Sequence, residues 1–316
     1  MNSTPPINLI VVCGPTASGK TALAATIATE LDTEIISADS RQVYRGLDIG
    51  SGKDRHEYTV NGKEIPCHLI DIADPMEMYT LFHFRRDFDR VFREVSGRGR
   101  LPVLCGGTGL YIEAVLRGYS IPPVPENALL RQRLMGRDKD VLEAQLRNLD
   151  ETIWRRTDLT SKKRIVRAIE VAFHGAAGEE VDTAPSPLRA LVLCTRWERS
   201  ELRERIDRRL AVRLSSGMEE EVRRLRESGV PDSRLAMLGM EYGHIVRYLR
   251  GETDHDTMVV QLRTAIHRLA KRQETYFRGM ERRGVAMEWI DRADAIQAIM
   301  TIRRCLSSGA LRPGDI

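Results

Sequence analysis

Residues 7–31, INLIVVCGPTASGKTALAATIATEL, decide the fold. The apolar run Ile7–Cys13 reads as a buried strand, and Lys20–Leu31 as an Ala-rich helix. Between them Gly14–Thr21, GPTASGKT, fits the phosphate-binding pattern G-x-x-x-x-G-K-[ST]. A glycine-rich turn from strand to helix aims several backbone N–H groups at one spot, and the helix N-terminus adds its partial positive charge. Gly14, Pro15, Thr16, Ala17, Ser18, Gly19, Lys20 and Thr21 are therefore expected to cradle a diphosphate. Lys20 is the residue that reaches the phosphates, and the Thr21 hydroxyl is the expected Mg²⁺ ligand. The loop by itself does not say which diphosphate is held, or what becomes of it.

Outward from this loop, short apolar runs alternate with helical segments. Glu34–Ser37, His68–Ile72, Leu101–Cys105 and Ala190–Thr195 read as strands, and Thr80–Ser96 has helical apolar spacing. The rhythm predicts an α/β fold, a P-loop parallel sheet with helices on both faces. It breaks at Ile121–Pro125, IPPVP, after which Glu126–His174 is wholly helical in pattern and Gly175–Pro187 reads as a linker. An all-helical insertion domain is expected over residues 123–187, with residues 1–122 and 188–316 forming the catalytic core. One late strand candidate, Ala286–Ile290, and a last helix near Ala293–Leu306 complete the core.

Composition narrows the class. With 316 residues and 42% hydrophobic content the chain suits a globular core, and no apolar run approaches the roughly 20 residues of a membrane span. The five scattered cysteines form no C-x-x-C pair, and MNSTPPINLI lacks a basic n-region, so a cytoplasmic protein with no membrane association is expected. The net charge of +4 is small, but its distribution is uneven. Arg155–Arg167 holds six basic residues against one acid, Arg199–Arg213 six against three, and Arg263–Arg283 seven against two. Such clusters suit a polyanion, or else a solvated helix face. Trp154 and Trp197 border basic segments, where stacking on bases and core packing are both open.

A P-loop nucleoside triphosphatase normally carries an acid at the end of a second strand to support the metal. Leu101–Cys105 instead runs into Gly106–Gly107–Thr108–Gly109, with no carboxylate. Asp39 and Asp71 follow other strand candidates. Simple ATP hydrolysis is thereby disfavoured, and Thr108 offers a hydroxyl where open α/β sheets bind ligands.

The ordered set GPTASGKT, DSRQVYRGLDIGSGK (Asp39–Lys53), HLIDIADP (His68–Pro75) and LCGGTGLY (Leu104–Tyr111) resembles the tRNA dimethylallyltransferases, also called tRNA isopentenyltransferases. RIVRAIEV (Arg164–Val171), LRERIDRRLAVRLSSG (Leu202–Gly217) and LAKRQ (Leu269–Gln273) extend it over most of the chain. The resemblance is to bacterial-type members, since no Cys/His zinc module follows the last helix. It implies transfer of a dimethylallyl group from dimethylallyl diphosphate to N6 of the adenosine at tRNA position 37, with Mg²⁺ and release of diphosphate. It assigns Asp39 as general base, and Thr108 and Arg205 with the P-loop to the leaving diphosphate. The anticodon stem-loop is the implied partner of Asp39, Ser40, Arg41, Gln42, Arg131, Lys163, Arg164, Ile165, Val166 and Arg167. Gly239–Met240–Glu241–Tyr242 departs from the family's Gly-Tyr-Lys-type motif. Nothing demands a dimer, so a monomer is expected, and whether an adenine nucleotide also binds the loop stays open. A P-loop kinase for a nucleotide or small metabolite, with the helical insertion as an Arg-bearing lid, is the alternative; it leaves the DSRQVY segment unexplained.

Overall fold

The computed structural model describes residues 7–119, 124, 126–174 and 188–308. Six parallel strands form one sheet: β1 (Leu9–Cys13), β2 (Ile35–Ser37), β5 (Cys67–His68), β6 (Val103–Gly106), β7 (Ala190–Arg196) and β8 (Glu288–Asp291), in the order β5-β2-β6-β1-β7-β8. A separate hairpin joins β3 (Thr59–Val60) to β4 (Lys63–Glu64). β1 is central, paired in parallel with β6 (Val11 opposite Leu104) and with β7 (Val11 opposite Val192).

Strand side chains alternate faces, and helices cover both. Leu9, Val11 and Cys13 meet Phe84, Phe88 and Phe92 of α2 (Leu81–Gly97), Ile112 of α3 (Gly109–Leu116), and Phe277 of α12 (His255–Arg282). Ile10 and Val12 meet Leu23 and Ile27 of α1 (Lys20–Glu30) and Ile302 of α13 (Ala295–Ser308). A third apolar cluster joins α8 (Arg199–Ser215), α9 (Met218–Glu227), α10 (Asp232–Leu238) and α11 (Met240–Leu249) to α12 and to Val43, Tyr44 and Leu47. The expected P-loop sheet is present. The strand expected over His68–Ile72 is corrected: it ends at His68, because Leu69 (φ 63°) and Asp71 (φ 56°) turn left-handed and leave the pleat. The last strand lies at Glu288–Asp291, two residues beyond its expected start.

The chain divides into two compact units, Met1–Gly118 with Pro185–Ile316, and Tyr119–Ala184. The linker read at Gly175–Pro187 and most of Ile121–Pro125 lie outside the described residues. Within the second unit the helices are α4 (Ala128–Met135), α5 (Lys139–Leu149), α6 (Glu151–Arg156) and α7 (Lys162–Phe173). They enclose Leu134, Leu142, Leu146, Ile165, Val166 and Ile169.

One buried carboxylate organises this small unit. Glu170 accepts from the Asn127 backbone N–H (2.9 Å), from Arg131 Nε and Nη2 (each 2.8 Å to one of its two oxygens) and from Arg167 Nη1 (3.2 Å). Burial pushes the carboxyl upward, yet the Arg131, Asn127 and Arg167 bonds outweigh it and hold its pKa below the usual range. Its contribution to stability is therefore complete above the ordinary glutamate pKa of about 4.3 and is lost as pH falls through the lower folded value. We expect Glu170→Gln to cost about 2 kcal/mol at neutral pH and to flatten the acid limb of stability, read from urea midpoints against pH; an unchanged acid limb would contradict this account.

Candidate functional site

The loop after β1 takes its shape from three residues in or near left-handed backbone: Gly14 (φ 154°), Ala17 (φ 61°) and Gly19 (φ 81°). A Cβ on Gly14 would lie 2.0 Å from Thr195 Oγ1, so only glycine fits there. Behind the loop the buried Ser18 hydroxyl bonds Thr195 Oγ1 at 2.7 Å. The Thr16 N–H donates to Gln273 Oε1 (2.8 Å), and Ser18 N–H reaches the Pro15 carbonyl at 3.4 Å. Those two amides are thus engaged within the protein, whereas the amides at the start of α1 have no intrahelical carbonyl within reach. Lys20 Nζ donates to the Pro15 carbonyl (3.3 Å). Burial lowers its pKa below the usual lysine value and Arg209 pushes the same way, while Cys105, Asp39 and Glu57 oppose them.

α8 forms a wall of arginines facing this loop. A cavity of about 310 Å³ is lined by Gly19, Lys20 and Thr21 on one side and by Arg205, Arg208, Arg209 and Arg213 on the other, with Asp54, His56 and Glu57 at its edge. Arg205 Nε donates to the Ala17 carbonyl (2.8 Å), and its guanidinium lies 4.2 Å from the Trp197 ring centre. Trp197 Nε1 in turn donates to the Ser18 carbonyl (2.9 Å). Trp197 is thus a support for Arg205 and the loop. Burial raises the Asp54 carboxyl, but Arg209 and Arg213, both bonded to it, outweigh this and hold it below its ordinary range.

On the neighbouring strand ends, the Asp39–Ser40 turn meets Thr108 through Ser40. Asp39 Oδ1 accepts from Arg41 N–H (2.8 Å) and Gln42 N–H (3.4 Å), closing a turn after β2. Thr108 Oγ1 accepts from Ser40 N–H at 3.1 Å and lies 3.4 Å from Ser40 Oγ. Gln273, on α12, spans the gap: it holds Thr16 through Oε1 and donates Nε2 to the Gly107 carbonyl (2.9 Å). The P-loop, Asp39–Ser40 and Gly107–Thr108 therefore share one end of the sheet, the end where open α/β sheets bind ligands.

The other expected contacts are distributed differently. Gln42 is buried: its side chain donates to the Gly52 carbonyl (2.9 Å) and accepts from Ser37 Oγ, so it braces the loop and is not presented to a ligand. Arg41 Nη1 donates to the Met237 carbonyl (2.7 Å). Asp71 pairs with Lys53 and Arg55. In the helical unit Lys163 and Arg164 are exposed, Arg164 paired with Asp158, whereas the Ile165 and Val166 side chains are interior. Arg131 is taken up by Glu170 and Glu126, and Arg167 by Glu170 and the Val124 carbonyl (2.7 Å). Tyr242 is fully buried and donates to Glu221 (2.8 Å), which also accepts the N–H groups of Asp48, Ile49 and Gly50. Burial raises the pKa of its neighbour Glu241, and Asp39 adds to this while Arg213 and Arg41 oppose. Between α8 and α12 runs an open groove of about 880 Å³; its Arg199, Arg203, Arg263, Arg268 and Lys271 make no ion pair among the described residues.

Sequence reasoning missed Gln273, Glu221 and the bracing role of Trp197, because each acts on residues more than 150 positions away. Lone glutamines and glutamates carry no local signal. Only the LAKRQ match touched one of them.

A parallel α/β sheet whose central strand ends in a P-loop, faced by a helix of arginines, defines a P-loop protein with a cationic site suited to an anion. A family model described as IPP transferase matches residues 42–280, and one described as Isopentenyl transferase matches residues 7–64. The chain is 49% identical over 287 residues to tRNA dimethylallyltransferase 2 of Bacteroides fragilis, covering 91% of this chain and 94% of that protein. It is 50% identical over 294 residues to tRNA dimethylallyltransferase 2 of Pelobacter propionicus, covering 92% of each. The crystal structure of the tRNA isopentenylpyrophosphate transferase from Bacillus halodurans superposes with a TM-score of 0.69 at 30% identity, over 96% of each chain. The chain belongs to the tRNA dimethylallyltransferase family, the IPP transferases, and the kinase alternative falls away.

Because Trp197 holds both Arg205 and the loop, it should report anion binding. Titration of inorganic diphosphate should change Trp197 emission, read as the difference between wild type and Trp197→Phe; a wild-type response that persists undiminished in Trp197→Phe would contradict the coupling.

Proposed function

We propose that this protein acts as a cytoplasmic monomer and transfers a dimethylallyl group from dimethylallyl diphosphate to N6 of the adenosine at position 37 of tRNA. The N6 lone pair forms a bond to C1 of the allyl group, the C1–oxygen bond breaks, diphosphate leaves with the electron pair, and the N6 proton passes to Asp39. The observation that carries this reading is the convergence of Asp39 and Thr108 beside a P-loop that ends the adjacent strand.

Charge accumulates on the departing diphosphate, so donors fixed there favour the transition state over the ground state. Lys20, Arg205 and the amides opening α1 supply them, with the Thr108 hydroxyl on the side towards Ser40. Asp39 already accepts N–H bonds through Oδ1, which fixes the carboxylate while it orients the weakly nucleophilic amine. The donor set at Thr21 suits Mg²⁺, a hard cation that takes a hydroxyl, phosphate oxygens and water; when bound it supplies further positive charge to the leaving group.

Chemistry on N6 requires the base to be out of its stack. The exposed Lys163 and Arg164, and the unpaired cations of the α8–α12 groove, support phosphate contacts with the anticodon stem-loop. Ser40 and Arg41 are the groups of the DSRQ turn available to the adenine and its neighbours, and Gln42 acts by holding that turn.

The direct test incubates the protein and Mg²⁺ with unmodified tRNA bearing adenosine beside the anticodon, with dimethylallyl diphosphate in one tube and ATP plus small acceptors in another. Phosphoryl transfer in the second without prenylation in the first would refute the proposal. Asp39→Ala should lower kcat about 10²–10⁴-fold with tRNA affinity retained; lost affinity at normal turnover would assign Asp39 to binding instead. Lys163→Ala should weaken tRNA binding and reduce the salt dependence of its affinity by a slope of about 0.7; an unchanged slope would remove Lys163 from the interface.

A further inference from the structure

β6 ends at Gly106 and runs into Gly107–Thr108, so the strand that supplies a metal-supporting acid in P-loop nucleoside triphosphatases supplies none here. Two carboxylates nevertheless edge the P-loop cavity, and they differ sharply in what they do. Asp54 is consumed by Arg209 and Arg213. Glu57 makes no side-chain hydrogen bond or ion pair among the described residues, although its charge acts on both Lys20 and Arg205.

Glu57 is not there by looseness of the chain. It lies in the short 3-10 helix Arg55–Tyr58, whose N–H at Glu57 bonds the Asp54 carbonyl (2.8 Å) and whose Tyr58 is buried against the α1 face of the sheet. The arginine grip on Asp54 fixes one end of this turn, and Tyr58 fixes the other. An uncommitted carboxylate at the edge of an anion site opposes the anion unless a cation is shared between them. Mg²⁺ is such a cation: it is commonly held by one or two protein oxygens together with substrate phosphates and waters, and needs no preformed cage.

We propose that Glu57, together with the Thr21 hydroxyl, holds the Mg²⁺ that accompanies the diphosphate, and so replaces the acid missing after β6. This rests on the diphosphate reading of the loop. Calorimetric titration of the full-length protein with inorganic diphosphate, in Mg²⁺ and in chelator, tests it without tRNA or turnover. Wild type should bind more tightly with Mg²⁺. Glu57→Gln should lose about 10–100-fold of metal affinity in the diphosphate complex, read from Mn²⁺ titration by electron paramagnetic resonance, while binding diphosphate in chelator at least as well as wild type. Glu57→Asp should recover part of the loss. If Glu57→Gln keeps the full Mg²⁺ gain, or tightens diphosphate equally with and without metal, Glu57 only repels the anion and the inference is wrong. If wild type binds no diphosphate under either condition, the reading of the loop itself fails.

Discussion

The site rests on one close approach, between the ends of β2 and β6. A Cβ on Gly106 would sit 2.2 Å from the Ala38 carbonyl oxygen, so the two strand ends meet only because Gly106 has no side chain. Ala38 N–H bonds the Cys105 carbonyl (2.7 Å), and Thr108 N–H returns to the Ala38 carbonyl (3.3 Å). This backbone seam sets Ser40 against Thr108 and carries Asp39 along with it. A side chain at residue 106 would prise Asp39 away from Thr108 before it disturbed the P-loop, which hangs on β1. Gln273 then ties the seam to that loop, with one amide oxygen on Thr16 and one amide nitrogen on Gly107.

The parts around this seam are joined by buried glutamates, each serving several donors. Glu221 receives three consecutive N–H groups and the Tyr242 hydroxyl, and thereby fixes the loop at Asp48–Gly50. Glu113 holds Tyr276 (2.5 Å) and Arg283 (2.8 Å), binding α3 to α12, the helix that carries Gln273. Glu34 takes His68, Arg98 and Arg100 beneath β2. A buried carboxylate is costly unless its oxygens are fully used, and then its removal strands several partners together. Such groups make the loops answer to one another: the turn carrying Asp39 is held through Gln42 and Gly52, next to the loop that Glu221 clamps.

The parts legible in the sequence were those with local signatures. Gly14–Thr21 announces its loop because glycine spacing and the flanking apolar run are short-range properties, and the unbroken apolar run at Leu9–Cys13 marks a strand covered on both faces. The family resemblance singles out Asp39, Thr108 and Arg205 together, residues that no local pattern links. What failed was orientation. Lys163–Arg167 is one contact stretch in the sequence, but a helix turns 100° per residue, so Ile165 and Val166 face the core while Lys163 and Arg164 face water. Gln42 and Arg131 look like ligands in a string of polar letters and prove to be braces, because their partners Gly52 and Glu170 are chosen by the fold. The end of the strand at His68 escaped for a similar reason: left-handed backbone at Leu69 and Asp71 has no signature in residues that seldom adopt it.

The electrostatics of the cavity suit an anion that gains charge as it departs. Its cations are arranged in two tiers. Arg209 and Arg213 are balanced by Asp54 and set the shape of the wall. Lys20 and Arg205 are parked on carbonyls of the loop itself, Pro15 and Ala17. A carbonyl is a weak partner for a full charge, so both cations are held in position at little cost to their release. Burial meanwhile makes the charged Lys20 less favourable, and an anion beside it offsets that penalty. The site is thus most satisfied when the most negative charge sits on the loop. In the proposed reaction that condition is met as the carbon–oxygen bond breaks and diphosphate takes the electron pair, which is where stabilisation lowers the barrier.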